Sequence, residues 1–512
     1  MKKSWMGALA ERYEQACQRY SGQTLLLLCN IDGTILDMRH TVLVVLQSFD
    51  RAHGTRYFER LNVAAITTHE NFVREVLKDC NVPTERQDEI VEYYLGQRWL
   101  SQSLRESAQP FDGALETIRW FQIQPDTAVA LVTDRPESLR EDTLSSLSAL
   151  GQRYRVTFQT DLLYMNRGTT AEDQAAEVKV AGLRHFLDAG YDVFAFIDNE
   201  PSNLKAIAAS KLAPEALLLH ADTIFKSPSK RAPRGAVRGK HYRIDDLIPS
   251  ESVLPRGVQL VWHGVNDEAN LRQFLGSKVH WAEVDVRLEP SHADLILRHD
   301  TFADTPLGAD ETPLLLVDTV EQLKRAGRGI KLDLKGGRPL LDRVLDLVSD
   351  ETFVGDDLWY NSAIGDLGED GFRCLSAERP DAIIQCPIDF LSPLIQAVPD
   401  KAHEILEMFR SWGITRFSLS WERRDLKGAD LHDIFRQVAD WGYEINIYNV
   451  GNLEAFLHAV ILLPKSVTSD YNFPKWRYYG QGSGLSGQHF DYQLRSRAEA
   501  DRSPSERRNR SE

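Results

Sequence analysis

The sequence predicts two α/β units in series: a parallel-sheet domain carrying a helical insert, then a (β/α)8 barrel. Three observations carry this expectation. Apolar runs of strand length at 24–31, 128–133 and 193–198 end on or beside polar residues, the way a parallel sheet delivers chemistry to its edge. From Gln259 on, strand-like runs start near Gln259, Trp281, Gly329, Asp357, Asp381, Arg416, Tyr443 and Ser466, with amphipathic runs such as 319–326, 340–348, 403–412 and 431–441 between them. Eight alternations are the period of a barrel. Between the two patterns, 226–257 shifts to Ser, Pro, Gly, Lys and Arg, the composition of a linker.

Residues 1–20 have helical spacing, and the run 24–31 leads into Asp32-Gly33-Thr34, a carboxylate at a glycine turn. Between the first two strands, 41–107 is helical in pattern with charged faces such as 85–92, suited to a cap that closes over a small ligand. The wording Leu28-Cys29-Asn30-Ile31-Asp32-Gly33-Thr34-Ile35-Leu36 resembles motif one of the haloacid dehalogenase (HAD) hydrolases. Thr133, Lys179 and the ending Asp198-Asn199-Glu200-Pro201 follow in the order of that family's later motifs. The resemblance covers roughly 23–223 and implies an HAD-like Rossmannoid domain over 1–225, capped by 41–107. It implies Asp32 as acid/base, Lys179 as phosphate lysine and Asp198 as a metal position. Asn30 departs from it, because the family attacks phosphorus with an Asp there, and an amide is a far poorer nucleophile. Asn199 likewise replaces a second acid. These departures imply a degenerate, non-catalytic domain kept for folding, docking or sensing. The alternative is residual phosphate binding, or hydrolysis without a covalent intermediate.

In the second half the chemistry lies between Trp262 and Lys335. Glu283 and Asp285 are two apart, so on a strand they share a face. Such a face suits a hard divalent cation such as Mg2+ or Ca2+. Asp333 sits in Gly329-Ile330-Lys331-Leu332-Asp333-Leu334, an otherwise buried strand pattern in which an unpaired acid is costly. His263, Glu283, Asp285, Asp333 and Asn361 all fall at predicted strand C-termini, the face that carries chemistry in barrels. Residues 294–299 read as an extra hairpin strand outside the ring.

The order His263-Gly264-Val265-Asn266, Glu283-Val284-Asp285, His299, then an acidic strand resembles the glycerophosphodiester phosphodiesterase-like barrels. That superfamily includes the sphingomyelinase D and menorin groups. Lys331-Leu332-Asp333-Leu334-Lys335 and Leu358-Trp359-Tyr360-Asn361 are most similar to menorin. The resemblance implies a barrel over 258–494 in which Glu283, Asp285 and Asp333 hold Mg2+ or Ca2+. His263 and His299 then act as base and acid, each a neutral imidazole near its titration point. Asn266, Lys335 and Asn361 meet the phosphate, and Trp421 packs an apolar part of the substrate. The family's His-Arg-Gly is absent because Gly264 follows His263, so glycerophosphodiesters specifically are not implied. The expected activity is a metal-dependent phosphodiesterase or phospholipase-D-like lyase acting on a small-molecule or lipid-derived phosphodiester. The alternative is a non-catalytic binding or scaffold protein built from two decayed hydrolase folds.

Over 512 residues the formal net charge is -15, the wrong sign for a nucleic-acid surface. The five cysteines, Cys17, Cys29, Cys80, Cys374 and Cys386, show no metal-binding spacing. They read as reduced residues of a cytoplasmic protein. Glu11, Arg12 and Glu14 interrupt any signal-peptide pattern, and no apolar run reaches membrane-spanning length. The tail 495–512 has a disordered composition, and nothing in the sequence speaks to oligomeric state.

Overall fold

Leu25-Leu26-Leu27-Leu28-Cys29 contains no polar side chain, and in the computed structural model it is strand β1 (Leu25–Cys29), buried at every position. The described residues are 4–19, 22–168, 174–228, 231–250, 253–291, 294–307, 312–348, 357–421, 428–471, 473 and 476. The chain divides into two compact units, Met1–Pro249 and Ser250–Glu512.

In the first unit β1 is joined by β2 (Thr127–Pro136), β3 (Leu163–Asn166), β4 (Asp192–Asp198), β5 (Leu217–Ala221) and β6 (Val237–Gly239). The sheet order is β3-β2-β1-β4-β5-β6, with every pairing parallel. Strand order reverses between β1 and β4, which opens a crevice at their C-terminal ends. Asn30 follows β1 and Asp198 ends β4, so both stand at that switch point. The expected cap is four helices, Arg39–His53, Val73–Asp79, Thr84–Gln97 and Ser101–Ser107. The first three pack around a separate core that includes Phe49, Phe58, Leu77 and Tyr94.

Part of 226–257, expected as a connector, is built into the first unit. Within it, Val237–Gly239 forms β6 against β5, and the short helix Ile244–Leu247 buries Ile244 and Leu247. The Trp5 indole donates to the His241 carbonyl at 2.7 Å, and the Tyr242 hydroxyl donates to the Thr34 carbonyl at 2.9 Å. The basic, Pro-rich opening of this segment masks the apolar residues behind it, and those residues complete the first unit's sheet.

The second unit is a closed ring of eight parallel strands. These are β7 (Gln259–Trp262), β8 (Trp281–Leu288), β10 (Gly329–Leu334), β11 (Leu358–Asn361), β12 (Ile383–Pro387), β13 (Arg416–Ser420), β14 (Glu444–Tyr448) and β15 (Ser466–Ser469). β9 (Leu295–Leu297) pairs antiparallel with β8 outside the ring. Helices such as Glu268–Gly276, Leu316–Arg325, Arg338–Leu347 and Leu453–Ile461 follow the strands. Asp267 and Asn452 cap two of them by accepting from backbone N–H groups of the first turn. The tail 495–512 lies outside the described residues. Among the described residues no helix is long and apolar enough to cross a membrane.

Strand alternation explains how a polar lumen fits in an apolar shell. In β10, Ile330, Leu332 and Leu334 lie on one face and are buried, while Lys331 and Asp333 share the other. Trp359, fully buried, takes Lys331 Nζ at 4.9 Å and the Arg416 guanidinium at 4.4 Å from its ring centroid. Both distances are in cation–π range. Arg416 also donates to Glu444 at 2.7 Å and to Gln259 at 2.8 Å, so the N-terminal end of the barrel is filled by a neutralised charge cluster.

Candidate functional site

The register between β8 and β10 pairs Glu283 with Lys331 and Asp285 with Asp333. Adjacent parallel strands therefore bring three acids to one place, and one oxygen from each of Glu283, Asp285 and Asp333 lies within 4.8 Å of the others. The backbone of β10 then matches Asp333 to Asn361 on β11, and β11 matches Asn361 to Gln385 on β12. A side-chain relay follows the same path: Asn361 Nδ2 donates to Asp333 Oδ1 at 2.8 Å, and Gln385 Nε2 donates to Asn361 Oδ1 at 2.7 Å.

Every acid has a partner in the chain. Lys331 donates to Glu283 at 3.1 Å, and Lys335 donates to Asp333 at 2.6 Å while lying 3.1 Å from Asp285 Oδ1. Asn266 is bound to Asp285 at both ends of its amide. Its Nδ2 donates to Oδ2 at 2.6 Å, and its Oδ1 accepts from the Asp285 backbone N–H at 2.8 Å. Gly264, at φ 64°, takes the left-handed turn that carries the chain from His263 to Asn266. His263 Nδ1 is 3.0 Å from Asp470 Oδ1, and its Nε2 is 3.9 Å from Glu283. His299 Nδ1 is 3.1 Å from Asp300 Oδ1, and Arg287 holds the His299 carbonyl.

These contacts set the proton affinities. Burial works to lower the His263 pKa, but the charges of Glu283 and Asp470 and the hydrogen bond to Asp470 push it up to about 9. In the metal-free chain these carboxylates favour the imidazolium form of His263. Burial works to raise Asp285, yet Lys335, His299 and His263 hold it well below the usual carboxylate range. Asp333 is raised, by burial first and then by the charges of Asp285 and Glu283. Lys335 is raised despite its burial, because it faces both Asp333 and Asp285.

The mouth of the barrel holds a cavity of about 260 Å³, lined by His263, Glu283, His299, Asp333, Lys335 and Asn361 among others. Asp285 and Asn266 stand behind this lining, fully or almost fully buried. Asn266 thus meets an acid where a phosphate contact was expected. Trp421 is not part of the lining among the described residues; its backbone N–H donates to the Tyr448 carbonyl and its ring meets His432 edge-on at 5.7 Å. Lys331, Asp470 and Gln385 belong to the arrangement without having been expected. Alternation with Asp333 points to Lys331, but nothing local points to Asp470 or Gln385.

A second candidate site is the crevice of the first unit, a cavity of about 320 Å³ whose lining includes Asn30, Asp32, Glu70, Arg98, Trp99 and Arg135. Lys179 donates to Asn30 Oδ1 at 2.7 Å and to the Val132 carbonyl at 2.9 Å. Asn30 Nδ2 donates to the Asp32 carbonyl at 2.7 Å and to Asn199 Oδ1 at 3.1 Å. Asp32 is clamped by Nη2 and Nε on one edge of the Arg135 guanidinium, at 2.6 and 2.8 Å. That guanidinium and the one of Arg98 each lie over the Trp99 ring, at 5.1 and 5.2 Å. Thr133 is buried, its hydroxyl accepting from the Arg135 backbone N–H at 3.2 Å. Asp198 is buried behind the crevice, bound to the Glu200 N–H and to Asn203, and burial pushes its pKa up to about 6. Burial also pushes Glu70 of the cap up to about 8, with Asp32 and Asp134 acting in the same direction.

No known protein family matches the sequence, and no curated protein matches it. Solved structures do resemble the chain. A putative glycerophosphoryl diester phosphodiesterase of Agrobacterium tumefaciens is 11% identical over 42% of this chain and 93% of its own, with a TM-score of 0.32. A phosphodiesterase of Oleispira antarctica, solved in complex with the product sn-glycerol-3-phosphate, is 16% identical over 44% of this chain and 95% of its own, at 0.31. A putative haloacid dehalogenase-like hydrolase of Burkholderia xenovorans is 13% identical over 43% of this chain and 94% of its own, at 0.28. At such identities and TM-scores the likeness carries no argument. The architecture read from the chain's own strands and helices is a parallel α/β domain with a helical insert, followed by a (β/α)8 barrel.

Proposed function

We propose that the barrel is a metal-dependent phosphodiesterase or phospholipase-D-like lyase, menorin-like in its site, working in the cytoplasm beside an HAD-like domain that does not turn over. The observation that carries this reading is the convergence of Glu283, Asp285 and Asp333 at the C-terminal end of the barrel strands. Their oxygens are hard donors gathered within 4.8 Å of one another, with Asp285 Oδ1 facing, among the described residues, only the Lys335 ammonium at 3.1 Å, so the set fits Mg2+ or Ca2+. Such an ion, when bound, supplies Lewis-acid polarisation of a phosphoryl oxygen.

The remaining work falls to the chain's own groups. Asn266 and Lys331 fix Asp285 and Glu283, and Lys335 neutralises charge beside the phosphate. Asn361 and Gln385 orient Asp333. As a cation with Nδ1 tied to Asp470, His263 is suited to give its proton to the leaving alcohol oxygen as the P–O bond breaks. His299 is suited to take a proton from the attacking hydroxyl, whether of water or of the substrate itself. Each transfer contributes about 10²- to 10⁴-fold.

The charge balance favours a second reading. Four carboxylates (Glu283, Asp285, Asp333, Asp470) face three cations (Lys331, Lys335, His263), so most of the charge is met without an ion. Together with Asn30 and the Arg135 clamp, this suits a ligand-binding scaffold with no turnover.

A phosphodiester panel assayed with Mg2+, with Ca2+ and with chelator separates the two. The enzyme reading expects chelator-sensitive alcohol release that falls at least about a hundredfold in Asp285→Asn, measured at a temperature where melts show the variant still folded. No release from any diester, with melting indifferent to either metal, would leave the scaffold reading in its place.

A further inference from the structure

Arg287 continues the lumen row of β8 above the acids. Glu283, Asp285 and Arg287 are two apart along the strand and so share a face, yet among the described residues the lining of the barrel cavity does not include Arg287. Its donors go to the backbone instead. Nε and Nη2 donate to the His299 carbonyl at 3.1 and 2.6 Å, and Nη1 donates to the Lys335 carbonyl at 2.9 Å. One guanidinium thus joins the two segments whose side chains, His299 and Lys335, both line the cavity.

The two carbonyls are not equivalent. Lys335 follows directly on β10, and its N–H donates to the Val286 carbonyl at 3.0 Å, so it extends the ladder of the closed ring. His299 lies two residues past β9, which stands outside the ring and pairs with β8 over three residues. The ring is the fixed partner and the hairpin is the one held. Beyond β9 the segment is braced from within, because Arg298 donates to the Asp300 and Thr305 carbonyls and its guanidinium lies 5.3 Å from the Phe302 ring centroid. Two ties then set where this braced piece sits over the acids. The Arg298 N–H donates to the Asp285 carbonyl at 2.7 Å just before His299, and Arg287 takes the carbonyl of His299 itself.

A general base works only within hydrogen-bond reach of the proton it takes, and a shift of about 1 Å can cost about 10²-fold. We propose that Arg287 is a positioning residue, which staples the His299 carbonyl to the Lys335 carbonyl and so fixes the reach of the His299 imidazole over the acid cluster. This rests on the phosphodiester reading, in which His299 takes the proton of the attacking hydroxyl. The guanidinium suits the task because its planar fork offers donors on two edges at once, which a lysine ammonium does not. Asp285, Asp300 and Asp366 also act on its charge, so the rival role is purely electrostatic.

The test is a double-mutant cycle on the full chain in Mg2+, run on whichever diester of the panel, 2-hydroxypropyl p-nitrophenyl phosphate included, wild type cleaves fastest. Arg287→Met is expected to lower kcat at least about tenfold while KM stays within about threefold. Arg287→Lys keeps the charge without the fork and is expected to fall within about threefold of the methionine variant. In a His299→Asn background, Arg287→Met should cost less than about twofold, since the group it places is gone. Hydrogen exchange in chelator reads the staple without turnover: amides of 298–305 should exchange at least about tenfold faster in Arg287→Met, with those of β10 and β11 unchanged. Should faster exchange spread to those strands, the methionine variant is unfolding and the lysine variant carries the cycle. Unchanged exchange in 298–305, full turnover with lysine, or an equal loss with and without His299 overturns the inference alone. No turnover of any diester by wild type overturns the phosphodiester reading, and the inference with it.

Discussion

Lys335 sets its ammonium 2.6 Å from Asp333 Oδ2 and 3.1 Å from Asp285 Oδ1, so the positive charge between these two acids is supplied by the chain itself. Replacing it by Lys335→Met leaves two buried carboxylates facing each other. In chelator the variant is expected to lose about 2–4 kcal/mol, at or below the usual cost of a broken buried pair because Lys335 keeps some exposure. Mg2+ should then restore more stability to the variant than to wild type. Urea denaturation with and without the metal measures both, and an unshifted midpoint in the variant would refute the pairing.

The His263 pKa, pushed up to about 9 from an ordinary 6.5, links stability to pH in the chelated protein. A raised pKa means that folding favours the protonated form. The contribution is complete below pH 6.5 and disappears as pH rises through about 9. Its size is on the order of 3 kcal/mol. His263→Asn should flatten the dependence of barrel stability between those values; a slope retained in the variant would assign it to another group.

His263→Asn and His299→Asn should each lower diester turnover by about 10²-fold or more while the chain stays folded. Paired measurements of turnover and melting temperature decide this. Full turnover in either folded variant removes that histidine from the reaction.

The first unit should release p-nitrophenol from p-nitrophenyl phosphate only at background. Asn30→Asp gives Lys179 a carboxylate partner but leaves Asp32 in the grip of Arg135, so the single change should remain near background. A robust wild-type activity that Asp32→Asn abolishes would show that this crevice is catalytic after all.

A methyl group at Gly239 would run into the Trp5 indole. Gly239→Ala is therefore expected to destabilise the first unit by about 1–3 kcal/mol through overpacking. A melt unchanged by the substitution would mean that β6 is not held there.

Both α/β units were legible because apolar strand runs that carry or lead into Asn30, Thr133, Asp198, Glu283 and Asp333 are local patterns, and alternation along a strand places Glu283 with Asp285 and Lys331 with Asp333. What was not legible depends on ring closure and sheet order. Asp470 reaches His263 only because β15 closes against β7. Arg135 reaches Asp32 across 103 residues because β2 lies beside β1. Gln385 is an ordinary amide in sequence, and only its place beside Asn361 on the neighbouring strand brings it into the relay to Asp333. Residues 226–257 misled because composition near the start outweighed Val237, Tyr242 and Ile244 further on.

The contact between Trp5 and His241 spans 236 residues, and it bears on how the chain is made. The helix Trp5–Gln18 buries Trp5, Met6 and Leu9, and part of that surface is covered by residues synthesised near the end of the first unit. At ribosomal rates, the wait is on the order of tens of seconds. Throughout that interval the helix carries an uncovered apolar face, a natural landing place for a holding chaperone.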